Sequence, residues 1–359
     1  MSILTEVEPD RKAVEAFRER LLEVANHGAL ALALSVGHRT GLLDALGEIP
    51  AGTSREIAER AGLNERYVRE WLAALAAGRI VEFDAPTDRY RLPPAHAALL
   101  TRRASPHNMA VVMQWIPVLA QVEDRLVESF RRGGGVHYHE YARFHDVMAE
   151  MSGETVVAAI FDGILPLAPG VTERLREGID VLDAGCGQGR ALMAMASEFP
   201  NSRFRGYDLS ADAVAAARTA AREMGLRNVT FLAADLSLMQ DEEAYDLVTA
   251  FDCIHDQARP DTVLSNIHRA LRPGGCFLMQ DIATHSALQE NLSHPLAPLL
   301  YTLSFGHCMS VSLAQGGAGL GTCWGRELAE EMLARAGFSR VRVHRLPHDI
   351  LNFFYVMER

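Results

Sequence analysis

The sequence predicts an α/β protein in which a helical N-terminal domain precedes a doubly wound, mostly parallel sheet of seven strands. Three observations support this. An apolar run at 179–182 meets Asp183-Ala184-Gly185-Cys186-Gly187-Gln188-Gly189, and an amphipathic helix follows at 191–199. That strand, glycine turn and helix place a ligand at the carboxyl end of a parallel strand. Strand and helix periodicities then alternate, and the first three strands end on aspartates, Asp183, Asp208 and Asp235. Finally, 359 residues exceed one ordinary core, so two domains are expected.

Residues 1–104 form the first domain. Val14, Phe17, Leu21, Leu22 and Val24 predict an amphipathic helix that buries one stripe, and a second apolar helix runs over 28–46. Thr53-Ser54-Arg55-Glu56 reads as a capping box, and Asn64 caps a helix at 65–77 that buries Val68, Trp71, Leu72 and Leu75. Strand patterns at 80–83 and 90–92 flank the turn residues 84–88. This layout is a winged helix. Read as a DNA reader, it would present Arg66 and Arg69 to the major groove, with Arg89 and Arg91 on the wing. Read as a structural module, its apolar helices would pair two copies of the chain. Glu65 and Glu70 dilute the arginines, which favours the homodimer.

Composition narrows the class. Hydrophobic residues make up 48% and charged ones 23%, as in a globular protein, and the formal charge of −11 argues against a dedicated nucleic-acid binder. The five cysteines are scattered without a C-x-x-C pair, which predicts reduced thiols and no closed zinc site. An acidic start without a basic-then-apolar leader, and an apolar stretch at 29–36 too short for a bilayer, predict a cytoplasmic protein without membrane contact.

Residues 105–170 read as connecting helices, with one long helix through Trp115 and Leu126 kinked at Pro117. His137, His139 and His145 have no carboxylate or cysteine at ligand spacing, so no metal is expected. Phe144, Met148 and Ser152 recur every four residues, which places them along one helical face. In the remainder, 171–359, further strands read at 204–208, 229–236, 246–251 and 276–280, with two more at 341–344 and 353–356. Between the last helix and the fifth strand lies a segment, 283–325, that is broken by prolines and glycines and suits an acceptor pocket or a lid.

The glycine turn is spaced differently from the dinucleotide fingerprint, which wants its third glycine one position later than Gly189. A carboxylate beside the turn suits a cationic ligand better than a pyrophosphate. The D-x-G-x-G-x-G run resembles motif I of the class I S-adenosylmethionine-dependent methyltransferases, whose sheet is Rossmann-like. The resemblance continues through the F-x-x-x-M-x-x-x-S helix, through Ile254-His255-Asp256, and through Leu271-Arg272-Pro273-Gly274-Gly275. Together these are similar to bacterial small-molecule O-methyltransferases with an N-terminal winged helix.

The resemblance implies S-adenosylmethionine as cofactor and S-adenosylhomocysteine as product. It assigns cofactor contact to Asp183, Gly185, Cys186, Gly187 and Gln188 in the turn and to Asp208 and Leu209 after the second strand. Asp235 and Leu236 follow the third strand, and Phe251 and Asp252 the fourth. It implies His255 as general base with Asp256 beside it. Phe144, His145, Met148 and Trp324 are implied as acceptor contacts. Gln257 departs from the tryptophan usual in that family, which leaves the shape of the acceptor pocket open. The expected function is methyl transfer to a small molecule. The alternative is an S-adenosylmethionine-sensing transcriptional regulator that binds DNA through the winged helix.

Overall fold

The computed structural model describes residues 10–347 and 349–359; the acidic opening residues 1–9 lie outside them. The chain folds as two compact units, one ending at Pro117 and the other spanning Val118–Arg359.

The first unit carries helices Arg11–Thr40, Leu42–Gly47, Ser54–Ala61 and Glu65–Ala77, then an antiparallel hairpin of β1 (Glu82–Asp84) and β2 (Arg89–Arg91). The capping box forms: Thr53 N donates to Glu56 Oε2 at 2.8 Å, and Glu56 N donates to Thr53 Oγ1 at 3.3 Å. Leu43, Leu46, Ile57, Val68, Leu72 and Leu75 fill the core. One expectation fails. The two helices predicted before residue 46 are a single 30-residue helix through Gly28, ended at Gly41 with φ 76°. Its front stripe is not buried: Val14, Phe17, Leu21, Leu22 and Val24 are all exposed. A lone glycine costs a helix only about 1 kcal/mol, which its long flanks absorb.

The second unit is built on a seven-stranded sheet in the order β5-β4-β3-β6-β7-β9-β8. The strands are β3 (Asp180–Ala184), β4 (Arg203–Asp208), β5 (Val229–Ala233), β6 (Tyr245–Phe251), β7 (Leu271–Ile282), β8 (Ser339–Leu346) and β9 (Asp349–Glu358). The first five are parallel, and β9 runs antiparallel to both β7 and β8. Val181, Leu182, Leu247 and Val248 are fully buried, as a sheet covered on both faces requires. The order reverses between β3 and β6, so a crevice opens at their carboxyl ends.

Instead of one long kinked helix, the chain makes two shorter ones, Trp115–Ala120 and Glu123–Arg132. The segment after β7 is more ordered than its composition suggests. Helices Ala297–Leu303 and Met309–Ala314 are joined through a π-helical turn, Ser304–Cys308. Among the described residues no single helix is long and apolar enough to cross a membrane. One bent pair, Phe144–Leu167 with Val171–Glu177, passes by length and composition, but its Val147, Ile160, Ile164 and Leu165 are buried within the protein.

Candidate active site

A cavity of about 880 Å³ lies over the carboxyl ends of β3, β4, β5 and β6, covered on one side by residues 137–148. Its floor is the glycine turn. Gly185, Gly187 and Gly189 all have positive φ, at 76°, 52° and 73°. A Cβ on Gly189 would stand 2.4 Å from the Phe231 ring and one on Gly185 2.6 Å from Cys253, whereas one on Gly187 would meet nothing within 4 Å. Two of the glycines therefore serve packing, and Gly187 keeps the space above it open.

The acids at the strand ends are held by the backbone. Asp208 accepts from Gly187 N at 2.7 Å and from Ser210 N at 2.8 Å. Asp235 accepts from Ser237 N at 2.8 Å. Gln188 donates to Asp146 Oδ1 at 3.0 Å. Leu209, Leu236, Phe251 and Asp252 complete this half of the wall. Asp252 has φ 51°, accepts from Gln280 at 3.0 Å through one oxygen, and buries the other without a partner. Burial pushes its carboxyl well above the usual range. Asp183 and Cys186 stand behind the turn instead of on the wall. Asp183 accepts from Thr249 Oγ1 at 2.7 Å, and burial lifts its pKa to about 7. Cys186 turns its sulfur toward Gly206.

The other half of the wall carries Phe144, His145, Met148, Tyr138 and Asp256. Phe144 stacks on the buried His307 ring, centroids 3.8 Å apart. His255 is 3% exposed and stands behind Asp256, outside the cavity lining. Its Nδ1 lies 2.7 Å from Asp281 Oδ1 and its Nε2 3.2 Å from Asp256 Oδ1. Burial by itself would strip the ring of its proton, but the two carboxylates outweigh that and hold its pKa well above the usual value. Burial raises the Asp256 carboxyl, opposed by His255, Cys308 and Tyr138. Tyr138 Oη donates to Asp256 Oδ2 at 3.1 Å. Trp324 does not reach the cavity either: its Nε1 donates to Asp281 Oδ1 at 2.9 Å.

Sequence reasoning missed Tyr138, Asp281 and Cys308. Asp281 had a signal, since it is a further acid at a strand end. Cys308 had none, because it reaches the site only through the π-helical turn.

Asp252 buries an oxygen without a partner beside an open glycine floor, and such a crevice suits a ligand bearing both cations and hydrogen-bond donors. The residues therefore fit S-adenosylmethionine, which carries a sulfonium, an ammonium and two ribose hydroxyls. The chain carries a methyltransferase domain with a winged-helix domain in front, and its site suits S-adenosylmethionine as cofactor. A family model described as a methyltransferase domain matches residues 175–337, and one described as an Rv2258c-like winged HTH domain matches 28–102.

Among curated proteins, a fatty-acid O-methyltransferase of Mycolicibacterium smegmatis is 34% identical over 105 residues, 29% of this chain and 38% of that one. Acetylserotonin O-methyltransferase of Rattus norvegicus is 31% identical over 170 residues, 46% of this chain and 35% of that one. The chain thus spans less than half the length of either. Among solved structures, an O-methyltransferase-like protein of Nostoc punctiforme superposes with a TM-score of 0.70 at 20% identity, covering 98% of this chain and 100% of that one. Human N-acetylserotonin methyltransferase in complex with S-adenosylmethionine gives 0.69 at 17%, covering 100% and 99%. At such identities these superpositions speak for the fold.

Proposed function

We propose that the protein transfers the S-adenosylmethionine methyl group to the oxygen of a small hydroxyl-bearing acceptor. In this reading the Asp256–His255 pair takes the acceptor's proton. The observation that carries it is Asp256, a buried carboxylate on the cavity wall backed by an imidazole. The acceptor oxygen attacks the methyl carbon, and the C–S bonding pair returns to sulfur, leaving the thioether. The oxygen's proton passes to Asp256 Oδ, the member of the pair that meets the cavity. His255 holds that carboxylate in place and spreads the charge to Asp281. Burial suits Asp256 to the task, because a carboxyl raised toward working pH is a better proton acceptor than one in water. Phe144 and Met148 offer an apolar wall for a flat acceptor.

In this reading Asp208 accepts from the ribose hydroxyls and Asp235 from the adenine amino group, and Gly187 leaves room for the methionyl part. The experiment is single-turnover transfer from labelled S-adenosylmethionine across a panel of phenols and alcohols. Turnover that is lost in Asp256→Asn while cofactor binding stays supports the reading. Unchanged turnover in that variant overturns the role of the pair.

We propose that the exposed stripe of Arg11–Thr40 is covered by a second copy of the chain, since a contiguous apolar stripe on a surface helix calls for a partner. Sedimentation of Phe17→Glu as a monomer would support this, and unchanged mass would oppose it. The DNA-binding alternative is not favoured. Each arginine expected to read DNA is paired with a carboxylate of its own unit: Arg66 with Glu70, Arg69 with Glu65, Arg89 with Glu56 and Arg91 with Glu82.

A further inference from the structure

The mixed-donor cluster behind the acceptor side of the wall goes unused in part by methyl transfer. His255 Nε2, an Asp256 carboxylate oxygen and Cys308 Sγ lie within 4.8 Å of one another. These are one nitrogen, one oxygen and one sulfur donor, drawn from two chain segments more than fifty residues apart. Asp256 is 7% exposed, and its Oδ1 is buried without a hydrogen-bond partner. The atoms behind the donors are arranged as well. Asp281 Oδ1 sits 2.7 Å from His255 Nδ1, on the far side of the ring from the cluster, and is itself fixed by Trp324 Nε1 at 2.9 Å. A carboxylate on the remote nitrogen is what orients an imidazole toward a cation and raises its basicity as a ligand. Tyr138 holds the other Asp256 oxygen at 3.1 Å, so Oδ1, 3.2 Å from His255 Nε2, faces the cluster.

We propose that His255, Asp256 and Cys308 form a site for a divalent cation of the zinc class, with its fourth position turned to the cavity that Asp256 lines. Thiolate and imidazole ligands select zinc, cobalt or a similar borderline metal over magnesium or calcium, which want oxygen donors. Binding exchanges protons for the cation. The Cys308 S–H proton leaves to solvent, and His255 Nε2 gives up any proton it holds, keeping the one on Nδ1 against Asp281. The consequence rests on the methyl-transfer reading above. A cation that takes Asp256 Oδ1 removes the proton acceptor from the cavity, so occupancy inhibits turnover. The binding itself does not rest on that reading.

The test is titration of the chelator-treated full-length protein with cobalt(II) alone, followed by absorption. The expected result is saturation at one equivalent, with a thiolate-to-cobalt charge-transfer band in the near ultraviolet and strong visible bands of a four-coordinate ion. Zinc should displace the cobalt and bleach both. Cys308→Ser should abolish the charge-transfer band, and Cys323→Ser, which changes another thiol of the same segment, should leave it. Asp281→Asn should weaken the affinity about ten- to a hundred-fold by loosening the imidazole. Retained binding of S-adenosylhomocysteine in each variant shows that it is folded. No saturable thiolate band, or a band that survives Cys308→Ser, overturns the site. Loss of methyl transfer in the metal-free protein would overturn the inhibition by the cation.

Discussion

The two ends of the cavity hold carboxylates in opposite ways. At the ends of β4 and β5, Asp208 and Asp235 accept from backbone N–H groups two residues further along the chain or in the neighbouring turn. At β6 and β7, Asp256 and Asp281 enclose an imidazole, and Tyr138 and Trp324 approach from 118 and 43 residues away in sequence. Backbone donors hold an acid in one orientation, ready for a neutral or cationic ligand. Side-chain partners in a dry interior couple several protonation states, which is what proton transfer needs. In the proposed reading the first arrangement binds and the second reacts.

The comparison breaks most visibly at the reacting end. Asp256→Asn is expected to lower turnover by about 10²–10⁴-fold, with cofactor affinity nearly unchanged by calorimetry. His255→Ala should do the same through its partner. An equal loss in cofactor binding would mean that the two ends are not separate.

The glycine turn sharpens the binding end. Gly187→Ala places a methyl in the open floor at φ 52° and should weaken cofactor binding by about ten-fold or more, with melting lowered only by the backbone strain of about 1 kcal/mol. Gly189→Ala drives a methyl into Phe231 and should do the reverse, lowering the melting temperature first. Swapped outcomes would exchange the roles assigned to the two glycines.

Asp183 gives a pH test of smaller size. Its pKa is about 7 in the folded chain against 3.8 unfolded, because burial disfavours the charge. Between about pH 4 and pH 7 the folded state therefore keeps a proton that the unfolded state has lost. By linkage this group makes the cofactor-free protein less stable as pH rises through that window, with no further change above it. Asp183→Asn should remove this component, which is on the order of a few kcal/mol. Melting curves at pH 5 and pH 8 for both proteins are the measurement. A slope unchanged by the substitution would detach it from Asp183.

The smallest effect is expected on the winged helix. Arg69→Ala breaks an exposed pair with Glu65 and should leave the melting temperature nearly unchanged.

Much of the binding end was legible from short-range patterns. The turn, the acids at the ends of β3, β4 and β5, and the caps at Thr53 and Asn64 are made by residues that lie close together in the chain. Backbone geometry and period-two or period-3.6 burial fix such features locally. The sequence by itself therefore determined the α/β class, the strand order's ingredients and the place of the nucleoside crevice. Only the tertiary structure decided that His255 faces Asp281 behind the wall, that Trp324 serves Asp281 instead of the cavity, and that Cys308 joins them. It also decided that the front stripe of Arg11–Thr40 stays exposed. These depend on contacts across long loops, and a π-helical turn shifts side chains by an amount that no helical period announces.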